Sequence, residues 1–210
     1  MEKGIKISPQ YYQKDWRDLE LDKNCEKSWK KAYEILEDRI YGRYFHQIET
    51  LDKNSNRSVG TFSGFAIMSI SCLLIETIEQ FYNGNFENSR NNDNPEGISN
   101  DTMIYHSFFQ RSKLFKDFFT SVEKSNIFYT KIRCGLLHQG QTKGKSLIHI
   151  RKNENTLSWI EENNISINRR KFIKEIEEVF KKYLSDLKQM DLNKRKKVFK
   201  KKMDYIVELK

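Results

Sequence analysis

Apolar residues recur at intervals of three and four over most of this chain. That spacing is typical of α-helices that bury one face. It predicts long helices over about residues 23–54, 59–82, 101–119, 122–138 and 169–190. The 210 residues include only two prolines and nine glycines, whereas an all-β sandwich needs many turns. The sequence therefore predicts a mainly α protein.

The second predicted helix is the most hydrophobic segment. Its apolar residues are Phe62, Phe65, Ala66, Ile70, Leu73, Leu74, Ile78 and Phe81. We therefore expect it to be the central helix of the core. Ser69, Ser71 and Glu76 interrupt or end its longest apolar run, which falls short of the roughly 18 residues that a membrane helix requires. The sequence thus predicts no membrane span.

The hydrophobic period changes after Gly140. Short runs typical of β-strands occupy residues 147–150, 156–160 and 165–167, and Asn-rich turns separate them. They predict a small antiparallel β-hairpin or meander insert at about 146–168. Residues 85–100 are rich in Asn, Asp and Ser, so we expect a long loop there.

A chain of this length suits one hydrophobic core. Since no repeat or linker divides it, we predict a single domain over 1–210, with an N-terminal extension at 1–22 and a basic C-terminal segment at 191–210. Cys25, Cys72 and Cys134 are widely separated and odd in number, which favours reduced thiols over a disulfide framework. The N-terminus lacks the apolar stretch of a signal peptide. We expect a cytoplasmic protein.

The net charge is +9, and an excess of this size attracts polyanions such as nucleic acids. Seven of nine residues near the C-terminus are basic: Lys194, Arg195, Lys196, Lys197, Lys200, Lys201 and Lys202. This run is either a solvated helix face or an arm that follows RNA phosphates. Lys143, Lys145 and Arg151 would extend such an RNA-binding surface.

No metal or cofactor site is predicted. His46, His106 and His149 are isolated from one another, and no Cys or His pair has zinc-ligand spacing. Glu76 and Glu79 alone are too few to indicate a metal. The chain also lacks a glycine-rich phosphate loop.

Arg133 and His138 stand at the end of the fourth predicted helix with four residues between them. Together with the three preceding helices, and with the central helix carrying residues 73–77 (Leu-Leu-Ile-Glu-Thr), this arrangement resembles the HEPN superfamily, whose motif is Arg, four to six residues, then His. The resemblance implies a HEPN-like helical bundle that forms a homodimer with its two motifs facing each other. It also implies RNA cleavage without a metal, in a toxin or a phage-defence effector.

The resemblance assigns a role to each motif residue. His138 would act as the base on the ribose 2′-hydroxyl or as the acid on the leaving oxygen, and imidazole titrates in the range that such proton transfer needs. Arg133 would hold the scissile phosphate, which its planar fork matches. The products would be a 2′,3′-cyclic phosphate and a 5′-hydroxyl, because the nucleophile belongs to the RNA.

Glu76 is the third candidate catalytic residue. A carboxylate on the most apolar helix needs a partner, because an unpaired buried charge is costly. Pairing with Arg133 would orient the guanidinium. The alternative is that Glu76 lies on an exposed edge of the helix.

Two features leave the activity open. Residues five apart on a continuous helix point about 140° away from each other, so Arg133 and His138 converge only if the helix ends first or a partner subunit completes the site. In addition, Cys134 stands where many catalytic members have Asn, Asp or His. The alternative is a catalytically inactive HEPN-like module that binds RNA or a protein, such as an antitoxin or nucleotidyltransferase partner. A purely structural helical protein is a third reading.

Overall fold

The structure is a computed structural model that describes residues 4–21, 25–84, 100–189 and 194–208. It is mainly helical with a small three-stranded sheet, as predicted. The chain clusters into two compact units: unit 1 comprises residues 1–50, 80–86 and 180–210, and unit 2 comprises residues 51–79 and 87–179. The single-domain assignment stays a prediction, and the loop predicted at 85–100 lies almost wholly outside the described residues.

The helices are α1 (Gln13–Arg17), α2 (Glu26–Ile40), α3 (His46–Asp52), α4 (Arg57–Phe62), α5 (Gly64–Asn83), α6 (Asn100–Phe109), α7 (Lys113–Phe118), α8 (Val122–Phe128), α9 (Cys134–Gln139), α10 (Arg169–Gln189) and α11 (Lys194–Glu208). Two π-helical turns, Tyr41–Phe45 and Tyr129–Arg133, join α2 to α3 and α8 to α9. The strands are β1 (Leu147–His149), β2 (Leu157–Ile160) and β3 (Asn164–Asn168).

Unit 1 is built around the fully buried ring of Phe199 on α11. Its aromatic neighbours have ring centroids 5.6–6.4 Å away and are Trp16, Trp29, Tyr33 and Phe81. Helix α1 is fixed to α11 by polar contacts, since Trp16 Nε1 donates to Asp204 (2.8 Å) and Gln13 Nε2 donates to the Val207 carbonyl (2.6 Å). The N-terminal extension thus packs against the basic C-terminal segment.

Unit 2 has an aromatic core whose fully buried members are Tyr105, Phe108, Phe109, Phe115, Phe119, Phe128 and Phe172. The rings of Phe109 and Phe119 stack with centroids 3.9 Å apart. The single helix predicted over 101–119 is wrong, because α6 ends at Phe109 and α7 begins at Lys113. Ser112 between them accepts a hydrogen bond from the Phe115 amide (3.1 Å), and such a cap starts a new helix.

Helix α5 is only partly the core helix that its hydrophobicity predicted. Ile67, Leu74, Ile75 and Ile78 are buried, but Phe65 and Leu73 are 41% and 46% exposed, and Phe62 in α4 is 80% exposed. Periodicity identifies an apolar face without showing what covers it. By length and composition alone, α5 is long and apolar enough to cross a membrane. One such helix is weak support for a span, because the buried core helices of soluble proteins share these properties.

The insert contains the three predicted strands, but its antiparallel meander topology is wrong. The strand order is β1-β3-β2, with β1 parallel and β2 antiparallel to β3. Seven residues link β1 to β2, which is enough to cross two strand spacings of about 4.8 Å each. The slot between β1 and β2 is filled by β3, which is buried along its whole length.

Candidate active site around Arg133

An ion pair between a half-buried arginine and a buried glutamate joins the π-helical turn Tyr129–Arg133 to α5 in unit 2. Arg133 ends the π-helical turn Tyr129–Arg133, and its Nε donates to Glu76 Oε1 at 3.1 Å. Glu76 is only 8% exposed, and the same oxygen accepts a hydrogen bond from the Tyr105 hydroxyl at 2.8 Å. The expected pairing is therefore present, and Glu76 does not lie on an exposed edge. The catalytic roles of Arg133 and Glu76 stay predictions.

The electrostatics of this cluster keep the guanidinium charged. Burial works to lower the pKa of Arg133, but the Glu76 carboxylate and the Tyr105 oxygen outweigh it and raise that pKa. Burial, with Cys72 and Glu76 nearby, raises the pKa of Tyr105 well above its usual value. Tyr105 therefore stays protonated and remains a hydrogen-bond donor to Glu76.

A second ion pair on α5 shows what is unusual about Arg133. Arg111 contacts Glu79 with two nitrogens, Nε to Oε2 and Nη2 to Oε1, both at 2.6 Å, which is the geometry of a structural fork. In contrast, Arg133 uses Nε alone, and its two terminal nitrogens have no acceptor within the described part of the chain. Those nitrogens are donors of the kind that match phosphate or carboxylate oxygens.

The segment that carries Arg133 and His138 contains the π-helical turn Tyr129–Arg133. π-helical turns are rare and occur frequently at functional sites, because they change the direction in which the following side chains point. The turn ends at Arg133, after which α9 continues as an ordinary helix through His138 to Gln139. His138 is exposed, and across the described residues no hydrogen bond or ion pair connects it to Arg133. Within one chain the two side chains diverge by about 140°.

Two glycines shape the chain around His138. Gly140 ends α9 with φ at 68°, a left-handed conformation that favours glycine. A Cβ on Gly135 would lie 2.6 Å from the Gln141 carbonyl oxygen, and the Lys143 amide donates to the Lys131 carbonyl at 2.9 Å. The segment after His138 therefore folds back onto the helix, and this return requires a glycine at 135.

Cys134 is half-buried next to the ion pair. The Tyr129 hydroxyl donates to Asp101 at 2.9 Å, and the Tyr129 ring lies 5.5 Å from the Arg133 guanidinium. Burial, Asp101 and Cys134 together raise the pKa of Tyr129. The Cys134 thiol therefore lies beside a phenol that stays protonated, and a thiol is only a weak hydrogen-bonding group.

The predicted RNA-binding residues of unit 2 lie on its surface. Lys145 and Arg151 are exposed and form ion pairs with Glu161 and Glu154, and Lys143 is half-buried. Exposed ion pairs contribute only about 0–1 kcal/mol. These pairs would therefore not prevent the cations from contacting an RNA phosphate.

The C-terminal basic run belongs to unit 1 and is mostly engaged within it. Arg195 pairs with Asp186 and Lys200 with Asp204, while Lys202 is 4% exposed and donates to Gln80. Lys196 lies 5.3 Å from the Trp29 ring centroid. The exposed side of α11 carries Lys194, Lys197 and Lys201. Of the seven basic residues in the run, these three are the ones whose exposure suits either a solvated helix face or an arm that contacts phosphates.

Tyr105 and Gly135 are site residues that sequence reasoning missed. Gly135 left a signal, because an isolated glycine inside a helical pattern often has a packing reason. Tyr105 left no such signal in the sequence, since its position opposite Glu76 depends on tertiary packing.

Over the residues described, no cluster of three or more His, Cys, Asp or Glu side chains is placed to hold a metal ion. Comparison with protein-family models, curated proteins and solved structures found no match for this chain.

Proposed function

We propose that this protein is a cytoplasmic, metal-independent endoribonuclease of the HEPN type that acts as a homodimer, in a toxin or phage-defence role. The observation that carries the proposal is the Glu76–Arg133 pair. Glu76 holds the guanidinium through Nε alone, so a fixed, charged fork remains for the scissile phosphate. Glu79 instead holds Arg111 through two nitrogens, in a bidentate fork.

The proposed reaction uses the RNA's own 2′-hydroxyl as the nucleophile. His138 removes the 2′-proton, the 2′-oxygen attacks the adjacent phosphorus, and the bond from phosphorus to the 5′-oxygen breaks as that oxygen gains a proton from the solvent. Arg133 stabilises the extra negative charge on the phosphate oxygens during the attack. The products are a 2′,3′-cyclic phosphate and a 5′-hydroxyl. Among the basic residues, Lys143, Lys145 and Arg151 are proposed to hold flanking phosphates.

The helix geometry supports a second copy. Helix α9 continues through His138 and does not end before it, so Arg133 and His138 of one chain point in different directions, and we propose that a partner subunit completes the site. Two exposed leucines lie about one helical turn from the pair along the chain: Leu73 (46% exposed) precedes Glu76, and Leu137 (40% exposed) follows Arg133. Phe62 (80% exposed) and Phe65 (41% exposed) are further exposed apolar side chains of unit 2. Exposed apolar patches often mark interfaces.

Complementation between two inactive variants tests this proposal. Arg133→Ala and His138→Ala are purified separately, mixed, unfolded and refolded together, and assayed on labelled RNA. Random mixing puts both variants in about half of the dimers, each with one complete site of two, so about a quarter of the wild-type activity should return. If both side chains acted within one chain, no activity would return.

Arg111→Ala is the matched control. It breaks a buried ion pair on the same helix α5 but leaves the motif intact. Breaking such a pair costs about 3–5 kcal/mol, so Arg111→Ala and Arg133→Ala should lose similar stability. Under conditions where both remain folded, only Arg133→Ala should lose cleavage. Equal loss of cleavage in both variants would show that stability, and not the site, explains the effect.

A catalytically inactive RNA- or protein-binding module is the second candidate. Cys134 favours it, since this side chain packs beside Tyr129 and offers only weak hydrogen bonding where many catalytic members have a polar residue. Such a module would bind labelled RNA without cutting it, or would bind an antitoxin or nucleotidyltransferase partner. Restoring a polar side chain with Cys134→Asn should then produce cleavage in a protein that previously only bound.

A further inference from the structure

A pocket in unit 2 lies apart from the ion pair, between α7 and the start of β2. Its volume is about 380 Å³, and it is lined by Leu114, Asp117, Phe118, Asn155, Thr156 and Leu157. Pockets that bind small ligands start at about 300 Å³. The space is therefore large enough for one planar heterocycle.

The pocket combines an aromatic wall with polar groups at its rim. The Phe118 ring stacks on Trp159, with centroids 4.6 Å apart and planes at 7°, and the Lys124 ammonium lies 5.8 Å from the Trp159 centroid. Asp117 and Asn155 are exposed, and neither side chain has a hydrogen-bond partner within the described ranges. A planar ring in the pocket would lie against Phe118, in the way that nucleobases stack on aromatic side chains.

The rim groups distinguish among the four RNA bases. An ionised carboxylate only accepts hydrogen bonds, so Asp117 matches an edge with adjacent donors. Guanine has such an edge, N1–H next to the N2 amino group, whereas adenine, cytosine and uracil all place acceptors beside their donors. The Asn155 amide can both donate and accept, and it would meet the remaining polar atoms of the base.

We propose that this pocket binds a guanine base of the RNA substrate, with Phe118 as the stacking surface and Asp117 as the acceptor for N1–H and N2–H. This inference rests on the proposed function for its substrate class. It adds a preference for RNA with a guanine near the cut.

Nucleotide binding tests the pocket without any cleavage. Guanosine and adenosine monophosphates are titrated into the full chain, and the fluorescence of Trp159 is followed. Trp16 and Trp29 are buried in unit 1, so Trp159→Phe identifies the signal that comes from the stack. We expect the guanine nucleotide to quench, the adenine nucleotide to bind at least about tenfold more weakly, and Asp117→Asn to weaken guanine binding by about tenfold or more.

Lys116→Ala is the control, because Lys116 is exposed on the same helix and does not line the pocket. It should leave guanine affinity within about twofold. Equal binding of both nucleotides, absence of quenching by the guanine nucleotide, or full guanine affinity in Asp117→Asn would overturn the proposal. If the protein binds guanine but cuts no RNA, the guanine pocket is supported and the proposed ribonuclease activity is contradicted. If the protein cuts RNA, does not bind guanine, and keeps its activity in Asp117→Asn, the ribonuclease activity is supported and the guanine pocket is contradicted.

Discussion

The hydroxyl of Tyr105 should contribute more to stability than an ordinary buried tyrosine hydroxyl. Tyr105 is fully buried, and its hydroxyl donates to Glu76 at 2.8 Å and lies 3.3 Å from the Cys72 carbonyl oxygen. A hydroxyl has one proton, so the shorter contact with the charged acceptor is the principal bond. Tyr105→Phe removes this donor and leaves the ring in place.

The magnitude follows from the charge of the acceptor. Hydrogen bonds to charged groups contribute about 1.5–3 kcal/mol, and those between neutral groups about 1 kcal/mol. Tyr183 provides the neutral comparison, because it is also fully buried and its hydroxyl donates to the Phe81 carbonyl at 3.1 Å. We expect Tyr105→Phe to lower the free energy of unfolding by about 2 kcal/mol and Tyr183→Phe by about 1 kcal/mol.

Urea unfolding of the wild type and both variants measures this difference. The midpoints should fall while the slopes stay the same, since neither variant changes the surface exposed on unfolding. A Tyr105→Phe variant that loses no more stability than Tyr183→Phe would refute the buried, charged acceptor at Glu76. It would also remove the support for a guanidinium oriented by that carboxylate.

Three further predictions concern neighbouring features. Gly135→Ala should lower the free energy of unfolding by about 1–3 kcal/mol, because its methyl group would meet the Gln141 carbonyl oxygen; calorimetry checks this. A thiol reagent at pH 8 should modify Cys25 first, since hydrogen bonds from Ser28 lower its pKa, and Cys72 only after unfolding, since burial raises its pKa to about 12. Burial lowers the pKa of His149 in the folded protein. The contribution of the neutral imidazole to the free energy of unfolding is therefore present above the usual pKa of about 6.5 and is lost as the pH falls through the lower folded pKa. Urea midpoints between pH 7 and 5 should therefore fall less in His149→Gln than in the wild type.

Local patterns predicted much of the secondary structure and the central ion pair. Glu76 stood on an apolar helix and needed a partner, and pairing with Arg133 was one of two alternatives, the other being an exposed edge of the helix. The start of α7 was missed, although Ser112 is a favoured N-cap residue. Both features depend on a few neighbouring residues or on one unsatisfied charge.

What the sequence did not predict depends on tertiary contacts. The burial of Leu74 and the exposure of Leu73 on the same helix follow from which elements pack on each side of α5. Tyr105 meets Glu76 across 29 positions of sequence. The parallel pairing of β1 with β3 depends on where a seven-residue connection leads the chain. The helical period changes locally at the π-helical turn that ends at Arg133, and the spacing of apolar residues is too coarse a pattern to predict such a turn.

RNA cleavage in EDTA is the most direct test of the proposed ribonuclease activity. Purified wild type, Arg133→Ala and His138→Ala are incubated with end-labelled RNA, and the chemistry of the new ends is determined. His138 is exposed, so its substitution should leave the fold intact. We expect the wild type to produce 2′,3′-cyclic phosphate and 5′-hydroxyl ends and both variants to lose this cleavage. Absence of cleavage by folded, dimeric wild type, or cleavage that survives both substitutions, would contradict the proposed function.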